Sequence, residues 1–269
     1  MQKVERGYSV VQEVMRPLTN VQQEARRAMM AEAIAKFGTQ RSALVTGSFR
    51  AGTSYICQLL AANGMPGLRN ERFADFWEFS RGGSDEKFCE RIEAVFSSSK
   101  GGIFFSKIMW PHRNNLSLSL GCGREDSAAF SKMFPDAKWL NIVRRDKVGQ
   151  AISFWKAKTT NQWQQTGSSV AHEPEYDYAA VRKCYNEILA HDMLWEDFHK
   201  NAGTDVCHVF YEDFVGREEE NLRLLLDYFS EHRLEKGEVK VHTVLKKQRN
   251  CHSAMIREKF MDDLYRSGN

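Results

Sequence analysis

The sequence predicts an α/β fold with a central parallel sheet flanked by helices. Short apolar runs suited to buried strands alternate with longer helical patterns, the order that builds a parallel sheet covered on both faces. In addition, "SALVTG" (42–47), a glycine-bearing turn and "TSYICQLLAANG" (53–64) read as strand, tight loop and helix in direct succession.

The elements follow in chain order. Residues 1–20 are polar and mixed and give no clear pattern. Met30, Ala33, Ile34 and Phe37 then recur at i, i+3, i+4 and i+7 ahead of Gly38, the signature of an amphipathic helix closed by a glycine. After the first strand–loop–helix unit, "GIFFSKIMW" (102–110) and "KWLNIVR" (138–144) read as strands. The second leads at once into "DKVGQAISFWKAK", with Asp146 as its N-cap. A helical pattern over 178–200 precedes the strand "DVCHVFY" (205–211) and the helical "EENLRLLLDYF" (219–229). The polar stretch 161–175 reads as a loop or lid.

Composition narrows the function classes. A chain of 269 residues with 42% hydrophobic residues can bury a substantial core. A formal net charge of +3 argues against a protein-wide nucleic-acid-binding field, while leaving room for a local basic pocket. No apolar run is long enough for a membrane span, and the N-terminus lacks the features of a signal or transit peptide. Six cysteines without C-x-x-C or metal-ligand spacing favour reduced thiols and a cytoplasmic setting.

The chemistry concentrates in Gly47-Ser-Phe-Arg-Ala-Gly52-Thr-Ser54. It has the spacing of a phosphate-binding loop, but Thr53 stands where a nucleotide-hydrolysing enzyme has its lysine. Neither following strand offers an aspartate placed to hold Mg²⁺, and Asp146 is preceded by Arg144 and Arg145. The loop offers instead Arg50, two hydroxyls and backbone amides at a helix N-terminus, a set that suits a sulfonate without metal. A glycine-bearing turn with no ligand has the same spacing.

Three stretches carry a resemblance: "SFRAGTSYICQLLAANG", "GMPGLRNERF" and, most specifically, "FPDAKWLNIVRRDKVGQAISFWKA". They resemble the bacterial trehalose 2-sulfotransferase family, a branch of the sulfotransferases that use 3′-phosphoadenosine 5′-phosphosulfate (PAPS). The resemblance runs from about residue 42 to the C-terminus. It implies a P-loop NTPase-like sulfotransferase domain over 42–269 and leaves 1–41 as an N-terminal helical extension.

The same resemblance implies a binding site. Arg50, Ala51, Gly52, Thr53 and Ser54 would hold the 5′-phosphosulfate, and Arg145 with Ser153, eight positions on, the 3′-phosphate. Tyr211 of "FYEDF" matches a tyrosine near the adenine, although a tyrosine closing a core strand would look the same. Lys246, Lys247 and Arg249 form a basic cluster that either covers the 3′-phosphate or is solvated surface.

For the base that takes the acceptor proton, Glu71 matches the family carboxylate, and His112, just after a strand, is the rival. Arg50 would stabilise the leaving phosphate, with Lys107 as an alternative cation. Phe73, Phe76, Trp77 and Trp155 offer faces for a sugar ring or belong to the core.

The departures from the family lie near the acceptor. Arg72 stands where an aromatic residue is usual, and Leu68-Arg69 replaces a more acidic pair, which suits an acceptor with a carboxylate, phosphate or sulfate. The resulting expectation is metal-independent sulfuryl transfer from PAPS to a hydroxyl of a saccharide or glycolipid, with PAP (3′-phosphoadenosine 5′-phosphate) as product. No nucleic-acid partner is expected, and a homodimer is compatible with the family. The competing readings are a divergent P-loop kinase, which requires ATP and Mg²⁺, and a regulatory module that binds PAP without catalysis.

Overall fold

The computed structural model describes residues 18–69, 71–123, 126–163, 173–229, 239–241 and 251–268. Four strands, β1 (Arg41–Gly47), β2 (Ile103–Met109), β3 (Ala137–Val143) and β4 (Val206–Phe210), form one sheet in the order β2-β1-β3-β4. Every pairing is parallel, with Gly47 opposite both Met109 and Ile142 at the C-terminal edge.

Parallel strands need crossovers, and the helices supply them. In chain order these are α1 (Asn20–Lys36), α2 (Thr53–Ala62), α3 (Asp85–Phe96), α4 (Trp110–Ser119), α5 (Ser127–Lys132), α6 (Lys147–Thr160), α7 (Tyr178–Ala202), the single turn α8 (Tyr211–Phe214), α9 (Glu218–Phe229) and α10 (Cys251–Gly268). Short 3₁₀ turns at Pro66–Arg69, Ala74–Trp77 and Phe79–Arg81 fill the span between α2 and α3.

Both faces of the sheet are covered, which is why its strands are continuous apolar runs. Leu44, Phe104 and Trp139 point into a cluster with α3, α5 and α7, while Ala43, Val45, Phe105 and Leu140 point into a second with α2 and α9. Phe73 and Phe76 are fully buried in the first cluster, and Trp155 is buried in a third that joins α6, α7 and α10. Those three aromatic residues are core. Trp77 is 51% exposed, with the Arg81 guanidinium 5.4 Å from its ring centre.

Helix α1 starts at a capping box, Thr19 accepting from the Gln22 amide, and contributes Met30 and Ala33 to the first cluster. Its buried Arg26 binds Asp85 at 2.7 Å and the Phe79 carbonyl at 2.8 Å, tying it to α3 and the turn before it. No helix among the described residues is long and apolar enough to cross a membrane.

The topology fixes where a ligand can bind. The chain leaves β1 for β2 on one side and passes back over β1 to reach β3 on the other, so the strand order reverses at the C-terminal ends of β1 and β3. Ligands of open α/β sheets lie in the crevice at such a switch point. The loop after Gly47 and the pair Arg144-Arg145 both emerge there.

Candidate active site

The loop between β1 and α2 is a strained cradle. Gly47 and Gly52 hold φ of +155° and +98°, and Arg50 itself sits at +62°, a left-handed conformation uncommon for a residue with a Cβ. A Cβ at Gly47 would lie 2.6 Å from the Ile142 carbonyl oxygen, and one at Gly52 would lie 2.2 Å from the Tyr211 ring. Helix α2 has no side-chain cap at Gly52, and its backbone bonds start with the Tyr55 and Ile56 amides donating to the Gly52 carbonyl, so the Thr53 and Ser54 amides ahead of them present the positive end of the helix dipole. These features fit an anionic group.

Arg50 anchors the loop across the crevice. Its Nε donates to Ser153 Oγ on α6 at 2.9 Å, and its Nη1 donates to the Trp163 carbonyl. Burial, with the Arg144 charge adding to it, lowers its pKa to about 10, which still leaves it cationic at neutral pH. Ala51 is fully buried and Thr53 nearly so.

Lys107 joins the loop to the candidate base. Its ammonium, on the buried C-terminal half of β2, donates to Ser54 Oγ at 3.0 Å and lies 2.8 Å from Glu71 Oε1. The other carboxylate oxygen of Glu71 is 3.7 Å from His112 Nε2. Both residues proposed as base from the sequence thus share one site. His112 lies in the first turn of α4, behind Trp110 and Pro111, so the segment is a helix start rather than an isolated turn. Burial lowers the His112 pKa, with Glu71 pulling the other way, which favours neutral imidazole beside the carboxylate.

Arg145 and Ser153 have separate partners. The Arg145 guanidinium pairs with both oxygens of Asp213 and lies 4.0 Å from the centre of the Phe210 ring, whereas Ser153 accepts from Arg50. Asp146 caps α6 through the Gly149 amide at 3.0 Å, as its position predicts, and also accepts from Arg257 of α10 at 2.5 Å. Tyr211 packs over Gly52, with the Arg144 guanidinium 5.4 Å from its ring centre. Lys246, Lys247 and Arg249 lie outside the described residues, as do 164–172 of the loop 161–175.

Three supports were not legible in the sequence. Gln150, buried on α6, donates from Nε2 to Ser48 Oγ at 2.8 Å and to the Phe49 carbonyl at 2.7 Å, holding the loop from behind. Its signal was a glutamine within the apolar face that also carries Ala151, Phe154 and Trp155. Trp195 Nε1 donates to the Gly47 carbonyl at 3.2 Å, where the strand becomes the loop. Arg144 reaches the Arg50 carbonyl at 3.4 Å and sits nearer the loop than Arg145 does. The spacing to Ser153 singled out Arg145 and gave no sign of this role for Arg144.

No group of His, Cys, Asp and Glu side chains able to hold a metal ion occurs among the described residues. A comparison with curated proteins gave no match. The Stf0 sulphotransferase family model matches residues 42–263, which takes in all of the sheet but Arg41, the loop, Glu71, Lys107 and the Arg144-Arg145 pair. With this match extending over most of its length, the chain belongs to the Stf0 sulphotransferase family.

Proposed function

We propose that the protein transfers the sulfuryl group of PAPS to a hydroxyl of a saccharide or glycolipid, directly and without a metal ion. The observation that carries this reading is the position of Lys107, one ammonium within 3.0 Å of the loop hydroxyl of Ser54 and 2.8 Å from the carboxylate of Glu71. Anion cradle and candidate base are therefore within reach of a single side chain. That proximity is what an in-line transfer between two bound molecules requires.

In this reading the loop from Arg50 to Ser54 holds the 5′-phosphosulfate, and Arg145 with Ser153 the 3′-phosphate, once Asp213 yields its partner. Glu71 takes the acceptor proton as the acceptor oxygen bonds to sulfur. The bond from sulfur to the bridging phosphate oxygen breaks, and PAP leaves with the electron pair. Arg50 and Lys107 face the negative charge that collects on the departing oxygen. His112 steadies the Glu71 carboxylate. Tyr211 covers the loop on the side where the adenosine is placed.

The test is transfer of labelled sulfuryl from PAPS to a saccharide and glycolipid panel in EDTA, with Glu71→Gln beside the wild type. Labelled product from the wild type and at least about a hundredfold less from the variant is the expected result, the usual scale for loss of a general base. Label transfer unaffected by Glu71→Gln would remove the carboxylate from its role.

A further inference from the structure

Arg72 follows Glu71 directly in the chain, and it is an arginine without a counter-ion. Its guanidinium has no hydrogen-bond or ion-pair partner among the described residues, and its Nε is buried. The charge that acts on it is another cation, Arg91 of α3, which also donates from Nη2 to the Arg72 carbonyl at 3.1 Å. The Arg91 Nε is likewise buried and unsatisfied. Burial and the Arg91 charge both lower the Arg72 pKa.

Among the described residues the carboxylate bonded to this pair is Asp75, which accepts from Arg91 Nη2 at 2.9 Å with a side chain that is 72% exposed. Such an exposed partner is screened by water and offsets little. The pair also belongs to the Glu71 site. The charges of Glu71 and Asp75 both act on the His112 imidazole, and the nearer Glu71 oxygen is 3.7 Å from its Nε2. Arg72 stands between the two carboxylates in sequence, and Arg91 is bonded to one of them.

Two arginines tied together through the Arg72 carbonyl, each with a buried Nε that lacks a partner, suit an oxyanion, because each guanidinium presents a fork of N–H donors to two oxygens. We propose that Arg72 and Arg91 form an anion subsite in the acceptor cleft. It would take a carboxylate, phosphate ester or sulfate ester already present on the sugar that receives the sulfuryl group. This deepens the sulfuryl-transfer reading and rests on it. The subsite also serves the chemistry: without it, an anionic acceptor approaching the Glu71 carboxylate is repelled.

The test uses the PAP-loaded full chain titrated calorimetrically with glucose, glucuronate, glucose 6-phosphate, glucose 6-sulfate and inorganic phosphate. The wild type is set beside Arg72→Met and Arg72→Lys, and the thermal shift with PAP is measured first on each protein. The expected result is one anionic sugar bound at least about tenfold tighter than glucose, as a charge-assisted hydrogen bond contributes a decade or more. Arg72→Met brings that sugar down to the level of glucose measured on the same variant, and Arg72→Lys keeps an intermediate preference.

PAP binding with no anionic sugar above glucose overturns the subsite alone, as does a preference that survives in Arg72→Met. Inorganic phosphate bound as tightly as the sugar ester also overturns it, by marking a free-anion site. Absence of any PAP shift overturns the donor reading, and the acceptor subsite falls with it.

Discussion

Lys107 Nζ lies 2.8 Å from Glu71 Oε1, and the lysine is 4% exposed while the glutamate is open to the cleft. A buried ammonium against a half-buried carboxylate holds that carboxylate in place and aims it. Because the same ammonium reaches Ser54, it also bears on the anion cradle. Lys107→Met is expected to lower sulfuryl transfer by about 10²–10³-fold, the scale for losing one preorganised charge donor. Steady-state rates together with PAP affinity check this. A rate within threefold of wild type would show that the ammonium serves only packing.

Gly52 and Tyr211 define how tightly the loop is covered. A Cβ at residue 52 would meet the Tyr211 ring at 2.2 Å, and the φ of +98° is one that an L-residue resists. Gly52→Ala is expected to lose PAP binding and to destabilise the fold by at least 1–2 kcal/mol, roughly the strain of a left-handed residue. In the Tyr211→Ala background the collision is gone and only the strain remains. Adding Gly52→Ala there should therefore cost less than it does in the wild type, and a double-mutant cycle by thermal denaturation measures the difference. Strict additivity would place the ring elsewhere in solution.

The fold was largely legible in the sequence, and the reason is physical. A sheet buried on both faces leaves uninterrupted apolar runs, so 42–47, 102–110, 138–144 and 205–211 each fall on a strand within a residue or two. Asp146 and Gly38 marked helix boundaries because capping is local chemistry. Helices α3, α4 and α10 were not read; in α4 the buried face is interrupted by Arg113, whose guanidinium is fully buried against Trp110, Phe130 and Phe198. In the site, the loop announced itself through its glycines. The Lys107 to Glu71 contact joins positions 36 residues apart on different elements, and no spacing reports such a meeting. The same limit hid Gln150 and Trp195, which act on the loop from α6 and α7.

The Arg145 guanidinium is occupied by Asp213 on the exposed rim of the crevice. If Arg145 binds the 3′-phosphate, Asp213 competes with that phosphate for the same donors. Asp213→Asn is expected to tighten PAP, and Arg145→Ala to weaken it, with calorimetric titration as the measurement. An Asp213→Asn protein that binds PAP less tightly than the wild type would argue that the pair orders the site rather than guarding it.

Acid stability carries a signature of His199. Its Nε2 lies 3.0 Å from Thr46 Oγ1 on β1, its ring stacks on Trp195, and burial with His208 nearby lowers its pKa from 6.5 to about 3. Between those values the unfolded chain holds a proton on this histidine and the folded chain does not. Stability therefore falls as pH drops through this window, by up to about 1.4 kcal/mol per pH unit from this one group. Asp146 and Glu212, held low in the folded state, add the same sign at lower pH. His199→Phe is expected to be less stable at pH 7, because Thr46 loses a partner, and to lose stability less steeply between pH 6.5 and 4. Urea denaturation across that range checks the slope. An unchanged slope would mean that His199 is solvated and titrates normally.

The measurement that bears most directly on the central claim is the thermal shift of the wild type and Arg50→Ala with PAP, ADP and ATP, each in EDTA and in Mg²⁺. A ligand that binds only the folded state raises the melting temperature according to its affinity. The account predicts a clear shift with PAP in EDTA, a smaller one with ADP, no requirement for Mg²⁺, and loss of the PAP shift in Arg50→Ala. A shift seen only with ATP and Mg²⁺ would contradict it and identify the cradle as that of a kinase.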